Sequence, residues 1–383
     1  MSGETESEKA KAYNRAKRVL FLIELGVGFL YLVVLLFSGV SVVITQKLET
    51  ATYNVWFVIL LYLLIIGVAY DLVAFPIDLY GGFVLEHKFG QSTQSLRAWA
   101  WDRLKSAGIG FAIGASLAEG LYWFLRRYPT NWWLIAAAMF IAVAVIMANL
   151  APVVLMPLFY KFTPLRNEEL KKRLLALFEK ANTKVRGVYE MDMSRKTHAA
   201  NAALVGLGNT RRIVLADTVL ERYEPDEIEA ILAHELGHHE NWDIWKGILF
   251  QSVLSTVSFY LAHVILGTYS FSFGMRGPSD IAAFPLLMVT IAAVSLFFLP
   301  AVNGFTRRLE RRADAFALTL TRNPEAFVSM ISKLGRQNLA EFEPNPILEF
   351  LLFSHPSIGK RMQRARELFP EDFRGTEKVE KEG

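Results

Sequence analysis

The chain alternates between long apolar runs and polar, charged segments. Six of the apolar runs are long enough to cross the roughly 30 Å hydrocarbon core of a bilayer as a helix. They cover residues 19–44, 55–79, 109–125, 131–159, 245–266 and 281–302. This pattern predicts a mainly α-helical, polytopic membrane protein.

The polar segments predict how the chain is organised around these spans. We expect an N-terminal tail (1–18), transmembrane helices 1–4 (19–160), a polar segment (161–243), transmembrane helices 5–6 (244–303) and a C-terminal segment with a tail (304–383). Lys and Arg residues near the span ends concentrate in the two tails, in the loop around Lys88 and in the 161–243 segment. The positive-inside rule therefore places all of these in the cytoplasm. Arg126 and Arg127 are discordant, because this topology puts their loop outside.

The polar segment 161–243 combines helical and strand-like patterns. Residues 167–181 carry apolar side chains at helical spacing, whereas 184–191 and 201–216 contain short β-like runs. Glu224 and Pro225 then begin another helix, because proline is favoured at the first helical position. These patterns predict a small α+β segment on the cytoplasmic side.

The composition narrows the possible functions. Hydrophobic residues make up 53% of the chain, and 41 basic side chains nearly balance 37 acidic ones. Such a chain is not intrinsically disordered, and without a basic stretch interleaved with aromatic residues it is not expected to bind nucleic acid. Because the chain contains no cysteine, any zinc site must be built from histidine and carboxylate side chains.

The helix that begins near Pro225 carries the motif His234-Glu235-Leu236-Gly237-His238. Residues four apart lie on one face of a helix, so His234 and His238 can bind the same metal ion. Glu235 points to the side of that ion, where a carboxylate can act as the general base on a water molecule. The motif predicts one catalytic zinc ion per chain.

A catalytic zinc normally has three protein ligands and one open position, so a third ligand must come from elsewhere. Glu310 is the best candidate, and Asp314, four residues later on the same helical face, can accept a hydrogen bond from a ligating histidine. Arg307, Arg308, Arg311 and Arg312 surround these carboxylates. The simplest interpretation of the arginines is that they form the positive cytoplasmic flank of the last span. The arginines can form such a flank while the two carboxylates belong to the metal site.

Taken together, these residues resemble the integral-membrane zinc endopeptidases of the type 1 CAAX prenyl protease family. Glu310-Arg-Arg-Ala-Asp314-Ala-Phe is similar to the family element that supplies the third zinc ligand and a supporting aspartate. Residues 157–165 and 83–90 are similar to two further family signatures. The resemblance covers about residues 20–368 and implies a barrel of transmembrane helices around a chamber, capped by a zincin-like metalloprotease domain.

The resemblance also assigns residues outside the zinc site. Asn201 and Ala202 resemble the start of the strand that binds the substrate backbone by β-augmentation. His355 and Arg361 resemble the C-terminal pair that contacts the substrate or stabilises the oxyanion. Four acidic residues in the spans would either face the chamber or extend from helix ends toward water. They are Glu24, Asp71, Asp78 and Glu119.

The expected function is that of a zinc metalloendopeptidase which hydrolyses peptide bonds in an intramembrane chamber at the cytoplasmic side. Its partners would be the lipid bilayer and peptide or protein substrates, prenylated or not. Its location would be the inner membrane of a bacterium or the endoplasmic reticulum of a eukaryote. One alternative is a quality-control protease resembling the heat-shock protease HtpX. The other is a transporter or scaffold with a structural zinc, although such a site has no need of Glu235.

Overall fold

The computed structural model describes residues 6–206 and 211–373. Residues 1–5 and 374–383 of the two predicted tails lie outside this range. Within the described residues, six helices have the length and apolar composition of membrane spans, which matches the number of predicted runs. These spans are Glu6–Phe37, Val55–Lys88, Leu96–Arg127, Trp132–Leu158, Asp243–Tyr269 and Ile281–Thr321.

The first apolar run is divided, so the prediction of one span over residues 19–44 is wrong at its end. Helix α1 (Glu6–Phe37) ends before Gly39, and a short helix α2 (Val40–Ala51) follows. Gly39 has a φ of 73°, a left-handed conformation that glycine adopts without steric cost. In the other direction α1 extends back to Glu6, so most of the predicted N-terminal tail is helical.

The next spans are α3 (Val55–Leu79), α5 (Leu96–Arg127) and α6 (Trp132–Leu150). A π-helical turn (Tyr80–Val84) and the short helix α4 (Leu85–Lys88) continue α3, while a second π-helical turn (Ala151–Leu155) and a 3₁₀ turn (Met156–Leu158) continue α6. The third predicted run, 109–125, is thus the second half of a longer helix.

Two of the four acidic residues in the spans are paired. Arg103 of α5 forms ion pairs with Asp71 and Asp78 of α3, which tie these two helices together.

The polar segment after the fourth span forms a four-stranded sheet with helices on it. Its strands are β1 (Phe162–Pro164), β2 (Val188–Met191), β3 (Ala202–Val205) and β4 (Arg212–Ala216), and the described strands run in the order β1-β2-β4-β3. Strands β2 and β4 are parallel, while β1 and β3 pair antiparallel with them at the two edges. Helix α7 (Glu168–Lys180) packs on this sheet through Leu174 and Phe178, which are fully buried.

The remaining helices follow in chain order. They are α8 (Asp217–Leu220), α9 (Pro225–Glu240), α10 (Asp243–Tyr269), α11 (Phe284–Thr321), α12 (Pro324–Gln337), α13 (Pro346–Leu352), α14 (Ile358–Leu368) and α15 (Pro370–Phe373). Helix α11 is a single helix of 38 residues, so the predicted boundary at residue 303 falls inside it. The same helix therefore forms the last span and continues into the domain that contains the four-stranded sheet.

The N-terminal half of α1 packs against this domain. Asn14 donates a hydrogen bond to the Leu339 carbonyl oxygen (2.6 Å), and Arg18 forms an ion pair with Glu341 (2.9 Å). The start of α1 and the domain built from β1–β4 and α9 therefore lie on the same side of the membrane.

Candidate metal centre

Helix α9 is fixed at its start by a buried carboxylate. The Glu227 side chain accepts a hydrogen bond from the Glu224 backbone N–H (2.8 Å), which closes the first helical turn. It also accepts hydrogen bonds from Ser329 (2.6 Å) and Lys333 (2.7 Å) of α12. These bonds fix α9 to α12 and set the rotation of the helix that carries His234 and His238.

Three predicted ligand side chains converge at one point between α9 and α11. The Nε2 atoms of His234 and His238 lie 3.2 Å apart. One Glu310 carboxylate oxygen lies 3.3 Å from His234 Nε2, and the other lies 3.3 Å from His238 Nε2. In the described part of the chain these three residues form the one group of histidine and carboxylate atoms close enough to hold a metal ion together.

The other ring nitrogen of each histidine faces a carboxylate. His234 Nδ1 lies 2.9 Å from Asp314, and His238 Nδ1 lies 3.0 Å from Asp243. A carboxylate only accepts hydrogen bonds when it is ionised, so each Nδ1 carries the proton and each Nε2 of the neutral rings presents a lone pair. Two lone pairs and a carboxylate directed at one point form a donor set that suits a metal cation, so these residues fit a metal ion.

The spacing of the ligand atoms also fits such an ion. Atoms bound about 2.0 Å from a tetrahedral ion lie about 3.3 Å apart, and the three separations are 3.2–3.3 Å. Glu310 Oε2 is buried and has no hydrogen-bond partner among the described residues. A metal ligand role for this oxygen would remove the cost of leaving it unpaired.

Asp243 is a site residue that the sequence reasoning missed. It is the first residue of α10, directly after Trp242, whose φ of 58° turns the chain back toward α9. The available signal was an aspartate five residues after the second histidine, just before the predicted span at 245–266. Only the tight turn brings its carboxylate to His238.

Gly237, inside the His-Glu-x-x-His motif, allows α9 and α11 to approach closely. A β-carbon added to Gly237 would lie 2.9 Å from the Ala313 α-carbon and 3.2 Å from the Phe316 β-carbon. Ala313 is itself fully buried, between Glu310 and Asp314 in the sequence. Small residues at this crossing therefore set the distance between the histidines and the carboxylates of α11.

Glu235 is half-buried beside the two histidines. Burial raises the pKa of its carboxyl group above the ordinary value. A carboxylate with a raised pKa binds a proton more readily, which suits a group that takes up and releases a proton during the reaction.

His355 lies at the exposed side of the same centre. Its Nε2 atom is 3.2 Å from Glu310 Oε1, and its side chain is 59% exposed. Two residues of α11 hold its loop in place. Arg307 donates to the carbonyl oxygens of Glu349 (2.9 Å), Phe350 (3.3 Å) and Phe353 (2.5 Å), and Asn303 donates to that of Leu351 (2.8 Å).

Arg307 is therefore not only part of a positive membrane flank. Its side chain is buried, and its donors satisfy carbonyl groups at the C-terminal end of α13. This contact fixes the position of His355 relative to Glu310. The interpretation as a flank suits Arg308 and Arg312, which are exposed.

Arg361 lies on the Nδ1 side of His234, away from Glu310. Its Nε atom donates to Asp314 (2.9 Å), and its Nη2 atom donates to the other carboxylate oxygen of Asp314 (2.5 Å). The side chain is only 8% exposed. This placement favours a positioning role, in which Arg361 orients Asp314 and through it His234, over direct contact with a substrate.

Asn201 and Ala202 lie at the start of the edge strand β3. Within the described residues β3 has a strand neighbour on one side, β4, and it packs against α9. The Asn201 side chain is exposed, while the Asn201 backbone carbonyl oxygen accepts a hydrogen bond from the Ala216 N–H (3.0 Å).

Asn338, which the sequence reasoning missed, fixes Ala200, the residue just before Asn201. It accepts a hydrogen bond from the Ala200 N–H (2.9 Å) and donates one to the Ala200 carbonyl oxygen (3.3 Å).

The fold and the site together define a multi-pass membrane metallopeptidase of the kind in which a His-Glu-x-x-His helix faces a ligating glutamate. The chain belongs to peptidase family M48, whose family model matches residues 164–369. A second family model, described as the CAAX prenyl protease N-terminal region with five membrane helices, matches residues 3–161. The predicted family and fold class are confirmed.

The chain is similar to several known proteins over most of its length. It is 32% identical over 366 residues to the uncharacterized metalloprotease YhfN of Bacillus subtilis, covering 94% of this chain and 85% of that protein. It is 29% identical over 375 residues to CAAX prenyl protease 1 of Saccharomyces cerevisiae, covering 91% and 80%. The crystal structure of Ste24p from S. mikatae has the same fold, with a TM-score of 0.85, 24% identity and coverage of 94% and 89%.

Proposed function

We propose that this metallopeptidase is a zinc-dependent endopeptidase whose ion is bound by His234, His238 and Glu310. The observation that carries the proposal is the convergence of these three side chains, with 3.2–3.3 Å between their ligand atoms. Two imidazoles and one carboxylate form a donor set typical of catalytic zinc, and the fourth position is left for the reactants. A zinc ion held there supplies Lewis-acid activation of the scissile carbonyl group and of the attacking water.

The residues around the ion have separate roles in this proposal. Glu235 takes a proton from the attacking water and passes it to the leaving amine, since its half-buried carboxylate stands next to both ligating histidines. His355 donates a hydrogen bond to the oxygen that becomes negatively charged at the carbonyl. Its exposed side chain, 3.2 Å from Glu310, is within reach of a bound peptide.

The substrate would bind as an additional strand along β3. An edge strand offers backbone N–H and C=O groups to an extended peptide, and β3 is an edge strand packed against α9. Asn201 would fix the peptide at the start of this strand. Ala202 follows directly, and its small side chain leaves the peptide room to approach.

We propose prenylated C-terminal peptides as the substrate class. The names of the yeast and human relatives, CAAX prenyl protease 1 and its homolog, support this assignment. A cavity of about 1080 Å³ between α1, α3, α5 and α11 is lined mostly by apolar side chains. Phe297, one of its lining residues, precedes Glu310 by 13 positions, or about 20 Å of helix. An isoprenoid chain suits such a cavity.

We propose that the active site faces the cytoplasm. The loops and tails on the side of the protease domain carry most of the Lys and Arg residues near span ends, as the positive-inside rule requires of cytoplasmic segments. The membrane would be the inner membrane in a bacterium or the endoplasmic reticulum in a eukaryote.

The test compares cleavage of a farnesylated peptide ending in a CAAX sequence with cleavage of its unlipidated twin by the purified, zinc-loaded protein. We expect a higher kcat/KM for the farnesylated peptide. Equal cleavage of both peptides would contradict the prenyl preference and favour quality control of membrane proteins. If neither peptide is cleaved, and if the Glu235→Gln variant fully replaces the wild-type protein in cells, the results would favour a transporter or scaffold.

A further inference from the structure

A basic cleft lies between α11, α13 and α14, and its lining does not include His234, His238 or Glu310. Its volume is about 540 Å³. The cationic residues that line it are Arg307, Arg311, Lys360, Arg361 and Arg364. Three carboxylates accompany them, those of Asp314, Glu349 and Glu367. The cleft thus has more positive than negative charge.

Most of these charges already have partners. Arg361 binds Asp314, Lys360 binds Glu349 (2.7 Å), and Arg307 binds backbone carbonyl groups. The side chains of Arg311 and Arg364 are different. Within residues 6–206 and 211–373 neither of them forms an ion pair or a hydrogen bond.

The unpartnered arginines are not simply solvated surface groups. Both are half-buried, and the Arg364 Nε atom is buried without a hydrogen-bond partner among the described residues. A buried N–H group without an acceptor is unfavourable, and native proteins rarely tolerate one. Two guanidinium groups in one cleft form a typical binding site for a phosphate group, which accepts paired hydrogen bonds from each.

The cleft lies just beyond the apolar part of α11. The apolar part of α11 ends near residue 302, and the next residue, Asn303, binds the Leu351 carbonyl oxygen of α13. Ile347 and Phe350 of the same short helix are 68% and 57% exposed, as expected for side chains that enter a bilayer. Arg311 follows Asn303 by two helical turns, which is about 12 Å. The polar headgroup layer adds about 5–8 Å on each side of the hydrocarbon core. Helical side chains lean toward the helix N-terminus, so the extended Arg311 side chain covers most of the remaining distance to this layer.

We propose that this cleft binds the phosphate of an anionic phospholipid, with Arg311 and Arg364 as its ligands and Ile347 and Phe350 beside the acyl chains. Because α13 leads directly into the loop of His355, a lipid bound here stabilises the packing of α13 and α14 on α11. The inference depends on the membrane location of the protein and not on its substrate.

The test measures the rise in melting temperature of the detergent-solubilised protein during titration with short-chain phosphatidylglycerol. The salt concentration is 1 M, where the Debye length is about 3 Å and diffuse attraction is screened. The double variant Arg311→Gln/Arg364→Gln is compared with the charge-matched control Arg308→Gln/Arg312→Gln. The control removes two exposed arginines of α11 that do not line the cleft.

We expect the cleft variant to need at least about tenfold more lipid, because it loses charge-assisted hydrogen bonds that 1 M salt does not screen, and the control to respond like the wild type. Equal shifts in both double variants, or no response of the wild type, would overturn the proposal. A response to inorganic phosphate that depends on the two arginines, with no added response to the lipid, would assign the cleft to free phosphate instead. If the glutamine variant does not fold, Arg311→Lys/Arg364→Lys replaces it. This variant should also bind more weakly, because lysine lacks the planar fork of arginine.

Discussion

Gly237 of α9 lies against Ala313 of α11 so closely that a β-carbon on Gly237 would stand 2.9 Å from the Ala313 α-carbon. The clash would involve backbone atoms, which cannot move aside as a flexible side chain can. The metal centre depends on this contact, because His234 and His238 are on one helix and Glu310 is on the other.

We therefore expect Gly237→Ala to separate the two helices and to weaken metal binding. Overpacking of this kind typically destabilises a protein by about 1–3 kcal/mol. Zinc content by elemental analysis and the melting temperature are the measurements. Gly247→Ala is the matched control, since a β-carbon there would have no atom within 4 Å. Full zinc content in Gly237→Ala would show that the helix contact is not critical.

The two carboxylates that contact the Nδ1 atoms of His234 and His238 should control metal affinity. Asp314 accepts a hydrogen bond from His234, and Asp243 accepts one from His238. Loss of such a partner typically weakens metal binding 10–100-fold, so we expect that reduction in Asp314→Asn and in Asp243→Asn. A competition titration with a chelator measures it. Asp226→Asn, in the exposed first turn of α9, is the control. Unchanged zinc affinity in Asp243→Asn would remove Asp243 from the site.

His355 should affect turnover more than metal binding. We expect His355→Ala to retain zinc and to lose about a hundredfold in kcat, the usual effect of losing one donor to a developing oxyanion. Zinc analysis and steady-state kinetics on the same preparation separate the two properties. Loss of zinc from the variant would instead identify His355 as a metal ligand.

Glu227 gives a prediction for the pH dependence of stability. Burial alone would raise the pKa of Glu227, but hydrogen bonds from Lys333, Ser329 and the Glu224 N–H outweigh it and lower the pKa below the ordinary value of 4.5. A lowered pKa means that this carboxylate stabilises the folded state above about pH 4.5 and that the stabilisation disappears as the pH falls further.

Glu227→Gln should accordingly be less stable than the wild type at pH 7, by about 1–3 kcal/mol. The difference in melting temperature should shrink as the pH falls below about 4.5. Melting curves at several pH values test this. Glu221→Gln, a substitution of an exposed glutamate, is the control. A difference that stays constant from pH 7 to pH 4 would contradict the assignment.

The sequence was sufficient for those parts of the protein that depend on local spacing. Four-residue spacing placed His234 with His238 and Glu310 with Asp314, and apolar length gave the number of membrane spans. The N-terminal half of the polar domain followed from alternating and helical patterns.

Other features depend on contacts between distant segments, which spacing does not report. The partner of His238 comes from the turn before α10, and Arg307 meets α13 only because a loop folds back on α11. The close crossing of α9 and α11 at Gly237 belongs to the same group. The break at Gly39 was missed because the apolar run continues through it.

The most direct test of the account measures zinc content and peptide hydrolysis for the wild type and for Glu235→Gln. The wild-type protein should bind one zinc ion per chain and lose activity on chelation. Glu235→Gln should keep the zinc and lose at least about a hundredfold in kcat, as expected when a general base is removed. Hydrolysis by Glu235→Gln at the wild-type rate, or by protein stripped of metal, would contradict the account.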